Sequence, residues 1–109
     1  MDKAFFFQAE KEINVKINFM ENETICGHIR NIKELKLPKE YICEKCIKTG
    51  SDWTHLRTCQ NCGATLCCDE SPNTHMTKHY HLTHHPVVIS AEPGEKWMWC
   101  YADEIFAEY

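Results

Sequence analysis

The sequence predicts a small α+β domain, a twisted antiparallel sheet with one main helix over about residues 72–84, from three observations. Short runs of strand composition bounded by turn residues recur at 53–58, 64–68, 87–89 and 97–101. One stretch is opened by Ser71-Pro72 and closed by Pro86, signals that start and stop a helix. Eight Cys and seven His in 109 residues offer cross-links to a chain whose hydrophobic core is marginal by itself.

The elements follow in order. Ile13, Val15, Ile17 and Phe19 alternate with Asn14, Lys16 and Asn18, the period of a half-buried strand, in an N-terminal extension over 1–25. Residues 26–50 have little periodicity and carry Cys26, His28, Cys43 and Cys46. Trp53 to Thr58 and Ala64 to Cys68 are short strands joined by a Cys-x-x-Cys-Gly knuckle. Ser71 suits the N-cap and Pro72 the first helical position, where its missing N–H costs nothing. Val87-Val88-Ile89 reads as a buried strand, Pro93-Gly94 as a turn, and Trp97 to Tyr101 as the last strand.

Composition narrows the function. Hydrophobic residues are 43% of the chain and mean hydropathy is −0.49, values of a soluble globular domain. No apolar run approaches the roughly 18 residues of a membrane helix. No basic and then apolar segment opens the chain, so a cytoplasmic location is expected. Sixteen acids against twelve bases give a net charge of −4, which counts against nucleic acid as a partner. In a reducing compartment, Cys at this density reads as metal ligands rather than disulfides.

Spacing sorts the ligands. Cys43-x-x-Cys46 and Cys59-x-x-Cys62 are zinc knuckles, whose turn points both sulfurs at one ion. His75 and His79 are four apart on the expected helix and so share a face, with His85 just beyond its end. Cys59, Cys62, His75 and His79 also fit the two-Cys two-His spacing of a DNA-reading finger. Pro72 falls inside the would-be recognition helix, Lys78 is its only base, and Asp69 and Glu70 precede it. Phosphates would be repelled, and four further ligand-type residues would be left without a role.

These residues together resemble the UBP-type zinc finger, the ubiquitin-binding module of ubiquitin-specific proteases and of one cytoplasmic histone deacetylase. The matching text is CGHI at 26–29, CEKC at 43–46, WTHLRTCQNCGATLCC at 53–68, HMTKH at 75–79, HHPVVIS at 84–90 and EPGEKWMWCYADE at 92–104. The combination of CCD with EPGExWxWCYxDE is similar to small stand-alone members found mostly in bacteria, with the domain over 26–109. The resemblance implies interleaved sites: Cys43, Cys46, Cys67 and His75 for one zinc, and Cys59, Cys62, His79 and His85 for a second. It implies a third zinc on Cys26, His28, Cys100 and Asp103, with a carboxylate where the family has a cysteine. Cys68 is left over and reads as a small buried thiol.

The resemblance also implies a pocket. In ubiquitin-binding members it takes a C-terminal Gly-Gly between aromatic walls, and Trp53, Trp99 and Tyr101 occupy the matching positions. The family's pocket Arg is replaced by Asp69, which would repel a carboxylate, so ubiquitin's C-terminus is a doubtful ligand. Arg57 and His55 are the positive groups nearby in sequence. The expectation is a zinc-binding interaction module that recognises a peptide or protein tail. The alternatives are a purely structural zinc protein and, less favoured, a zinc- or thiol-dependent enzyme, since every implied zinc set is closed.

Overall fold

The run Val87-Val88-Ile89 lacks polar alternation because the strand it forms is covered on both faces. It lies at the middle of a single five-stranded sheet in the computed structural model, which describes residues 25–109. The elements are α1 (Gly27–Arg30), α2 (Cys46–Thr49), β1 (Leu56–Cys59), β2 (Thr65–Cys67), α3 (His75–Thr83), β3 (Val87–Ser90), β4 (Trp97–Cys100) and β5 (Ile105–Glu108). The strand order is β2-β1-β3-β4-β5, and every neighbouring pair is antiparallel. The α+β expectation holds, with a sheet and one main helix. The strand expected over Ile13–Phe19 lies outside the described residues.

The pleat divides the core in two. Val88 points to one face, where Leu56, Leu66, Met76 and the ligand cysteines Cys43, Cys46, Cys59 and Cys67 are buried together. Val87 and Ile89 point to the other, with Met98, Cys100, Ala107 and Ile29. The helix α3 covers the first face along β2, and the single turn α1 covers the second at β4. Neither layer is thick. Four of the nine buried residues on the first face are cysteines, so metal coordination carries much of what hydrophobic burial carries in larger domains.

The strand expected from Trp53 begins only at Leu56, and two larger differences from the expectation stand beside it. The helix starts at His75, three residues after Pro72. Ser71 does not cap it: its Oγ accepts the N–H of Thr54 at 2.8 Å, which ties the turn to the segment before β1. Thr74 takes the N-cap position in a left-handed conformation without a side-chain cap bond. At the other end His84 is also left-handed, its N–H bonding to the Tyr80 carbonyl at 2.7 Å, and Pro86 follows. The second difference is β5, an additional edge strand. It pairs Ile105 with Cys100 and Phe106 with Trp99. Among the described residues no helix is long and apolar enough to cross a membrane.

Candidate metal centres and aromatic cleft

Among the described residues three four-residue donor sets assemble, each with all its donor atoms within 4.8 Å of one another. A tetrahedral zinc, with sulfur at about 2.3 Å and nitrogen at about 2.0 Å, holds its donors roughly 3.3–3.8 Å apart. That spacing is the test for each set.

The first set is Cys43, Cys46, Cys67 and His75. The two cysteines of the knuckle flank the start of α2, Cys67 ends β2, and His75 begins α3. His75 Nδ1 lies 3.4, 3.3 and 3.5 Å from the sulfurs of Cys43, Cys46 and Cys67, and the Cys46 and Cys67 sulfurs are 3.8 Å apart. One imidazole nitrogen cannot satisfy three sulfurs with a single proton. These distances are edges of one tetrahedron. The sulfurs also receive backbone N–H groups, Cys46 to Cys43 at 3.3 Å and His75 to Cys67 at 3.2 Å. Such donors favour the thiolate form that zinc requires. All three cysteines are fully buried. Burial pushes the Cys46 thiol up to about 11, opposed by the Asn73 amide and reinforced by Cys43 and Cys67. Burial also pushes Cys43 up, but the N–H groups of Cys46, Lys45 and Cys67 outweigh it and leave that thiol below its usual value. Burial, with Lys78 and Lys45 nearby, keeps His75 neutral to lower pH than usual.

The second set is Cys59, Cys62, His79 and His85. Cys59 ends β1, and the chain turns at once: Gly63 donates to the Cys59 carbonyl at 2.8 Å and sits at φ +81, a conformation natural for glycine. Asn61 donates its N–H to the Cys59 sulfur at 3.4 Å. His79 Nε2 is 3.4 Å from Cys62 Sγ, and His85 Nδ1 is 3.6 Å from Cys59 Sγ. The left-handed His84 turns the chain at the end of α3 and brings His85 back to this set. Thr83 holds that corner, donating to the His79 carbonyl at 2.7 Å and accepting the His85 N–H at 3.2 Å.

The third set is Cys26, His28, Cys100 and Asp103, on the opposite face of the sheet. Cys26 precedes α1, His28 lies within it, Cys100 ends β4 and Asp103 sits in the turn to β5. Cys100 Sγ is 3.7 Å from His28 Nδ1 and 3.6 Å from Asp103 Oδ2, which are tetrahedral edges. The His28 to Asp103 distance of 2.7 Å is shorter and is that of a hydrogen bond. Both side chains are well exposed and can open that edge by rotation. Hydrogen bonds from Cys26 and then His28 hold the Asp103 carboxyl below its usual range, while burial pushes Cys100 up to about 11. The donor atoms of all three sets fit zinc, and no cysteine among the described residues is in a disulfide.

A cleft of about 290 Å³ opens on the α3 face beside β4. Trp97, Trp99 and Tyr101 alternate along the strand and so line one side, and Phe106 stands across from Trp99 on β5. The Arg57 guanidinium lies 4.5 Å over the Trp97 ring. Asp69 is in the opposite wall and accepts the Thr77 hydroxyl, with Glu70 beside it. Tyr80 of α3 stacks on Tyr101 at 5.1 Å. Of the pocket residues expected from sequence, Trp99, Tyr101 and Asp69 meet here. Trp53 does not line the cleft: it packs against the buried layer of the first metal set. Trp97 and Phe106 were missed, although the alternation of Trp97 with Trp99 put both on one face. Between the positive candidates, Arg57 is in the cleft and His55 is not among its lining residues. His55 instead meets Cys68 and Glu70 in a fourth cluster of potential donors that no sequence spacing announces.

Residues 43–108 match the model of the family described as the zinc finger in ubiquitin hydrolases and other proteins. The solution NMR structure of a protein from Rhodopseudomonas palustris is similar, with 44% identity and a TM-score of 0.70, over 78% of this chain and 82% of that one. The comparison with curated proteins gives no match.

Proposed function

The chain belongs to the UBP-type zinc-finger family, and we propose that it is a zinc-stabilised recognition module rather than an enzyme, taking a peptide or protein tail in the aromatic cleft. The observation that carries this reading is the pairing of aromatic walls with opposite charges in one cleft. Trp97, Trp99 and Tyr101 give apolar sides, while Arg57 stands against Asp69 and Glu70. Aromatic walls select a slender, extended tail, and a guanidinium can hold its carboxylate. The acids favour a tail that also carries a positive group, since Asp69 stands where a cation would serve a plain carboxylate best. The three four-donor sets support the non-catalytic reading, because a closed zinc site leaves no position for a water to be activated. A module built on thiolate ligands belongs in a reducing compartment such as the cytoplasm.

The test is tryptophan fluorescence or calorimetry with three short peptides. One ends in Gly-Gly, one is its C-terminal amide, and one carries a lysine or arginine next to the free carboxylate. The reading expects the cationic tail to bind best and the amide to bind worst, with Trp99→Ala abolishing the binding of all three.

A purely structural role is favoured by one observation. The polar groups of the cleft already have partners, Arg57 on Trp97 and Asp69 with Thr77. Under that reading none of the three peptides binds.

A further inference from the structure

We propose that His55, Cys68 and Glu70 form a fourth cation site, a three-ligand, solvent-open site for zinc or a cation of similar softness, distinct from the three closed sets. The hairpin places its first two members. Leu56 pairs with Cys67 across β1 and β2, so His55 and Cys68 are the next pair outward. The Cys68 N–H bonds to the His55 carbonyl at 3.0 Å, which extends the pairing by that residue. Residues directly opposite in an antiparallel pair send their side chains to the same side. The turn after β2 then returns Glu70 to the pair. Thr54 fixes that turn twice, donating its N–H to Ser71 Oγ at 2.8 Å and its hydroxyl to the Glu70 carbonyl at 3.4 Å.

One sulfur, one imidazole nitrogen and one carboxylate oxygen thereby come within 4.8 Å of one another. His55 Nδ1 and Glu70 Oε1 are 3.4 Å apart, longer than a charge-assisted hydrogen bond and close to a tetrahedral edge. The Glu70 side chain is exposed and free to rotate toward its two partners. Thiolate, imidazole and carboxylate together suit zinc and disfavour magnesium or calcium, which prefer oxygen donors throughout. Three protein ligands leave one position free. His55 and Glu70 are 45% and 76% exposed, so that position faces water and exchange with solvent is open. On binding, Cys68 gives its thiol proton to water and the cation takes its place. None of the three residues belongs to the other donor sets, while Cys68 and Glu70 also line the aromatic cleft, so the cation would sit at its edge.

The experiment uses the reduced chain carrying three zincs, titrated anaerobically with Co²⁺. Absorption follows thiolate-to-cobalt charge transfer, and native mass spectrometry counts the zinc retained. The expected result is one further metal equivalent with a charge-transfer band and three zincs kept. His55→Ala and Glu70→Gln, both at exposed side chains, should weaken that equivalent at least tenfold. Cys68→Ser should remove the charge-transfer band, while all three variants keep three zincs and the parent melting transition. Saturation at three metals, a band that appears only as zinc is displaced, or a fourth equivalent unchanged in His55→Ala and Glu70→Gln would each overturn the proposal.

Discussion

His75 and His79 sit one turn apart on the same helix but serve different metal sets. His75 Nδ1 lies 3.4 Å from Cys43 Sγ, and His79 Nε2 lies 3.4 Å from Cys62 Sγ. A helix presents residues four apart on one face, close enough for both rings to share one ion, yet here each ring meets the sulfurs of a different knuckle. The consequence is mechanical. The helix α3 is pinned to the knuckle at Cys43 by its first residue and to the knuckle at Cys59 by its fifth. Two ions that would each be local staples become one brace across the α3 face of the sheet.

Losing either site should therefore unfold more than its own neighbourhood. Cys43→Ser removes a ligand from one set, and His79→Ala from the other. Each should abolish the cooperative melting transition, because zinc binding in small domains supplies on the order of 10 kcal/mol of apparent folding free energy. Circular dichroism melts with parallel zinc counts check this. A native-like transition in either variant would break the link between these ions and the fold.

The third set should behave differently. It lies on the opposite face of the sheet, backed by Ile29, Met98 and Ala107, and shares no ligand with the other two. Asp103→Ala should lower the zinc count by one and leave the other two ions in place, with a lower melting temperature but a retained transition. Native mass spectrometry of the variant reads this directly. Loss of all zinc on this one substitution would mean that the two faces are coupled.

Zinc retention should weaken as pH falls. The Cys46 and Cys100 thiols are pushed up to about 11 by burial, so below that pH each keeps a proton that the ion must displace. Binding releases those protons, and apparent affinity therefore rises with pH. His75 contributes with the same sign in a more acidic range: burial lowers its pKa, so a proton competes with zinc for that nitrogen only in more acidic solution than usual. Competition with a chelator at about pH 6 and pH 8 should show at least a tenfold gain in affinity at the higher value. An affinity independent of pH would contradict the assignment of buried thiols as ligands.

Much of this architecture was legible because ligand spacing is a local signal. Two Cys-x-x-Cys pairs, an i,i+4 histidine pair and a Pro-limited helix are each written within twenty residues. What was not legible depends on registration between strands. Phe106 enters the cleft only because β5 pairs it with Trp99, and Ile105-Phe106-Ala107 has no alternation that would mark a strand. His55 meets Cys68 thirteen positions away through a hairpin register that the sequence does not state. The helix starts three residues beyond Pro72 because Ser71 has the chemistry of a cap but spends its hydroxyl on Thr54. Trp53 matched a family pocket position, yet local packing turns it to the metal layer.

The charge pattern of the cleft makes the last prediction. Asp69 stands at the position where the family resemblance expects an arginine, and it is held by Thr77 in the wall opposite the aromatic strand. A carboxylate entering the cleft meets Arg57 but also Asp69 and Glu70, whose like charges oppose it. Asp69→Arg reverses one of those repulsions and adds a second fork-shaped donor. It should raise affinity for a Gly-Gly-ending peptide at least tenfold, about 1.4 kcal/mol, and lower affinity for a tail bearing lysine or arginine. The opposite shifts in the two peptides distinguish charge recognition from a general change in the cleft. Equal shifts in both would show that Asp69 shapes the wall without selecting the ligand's charge.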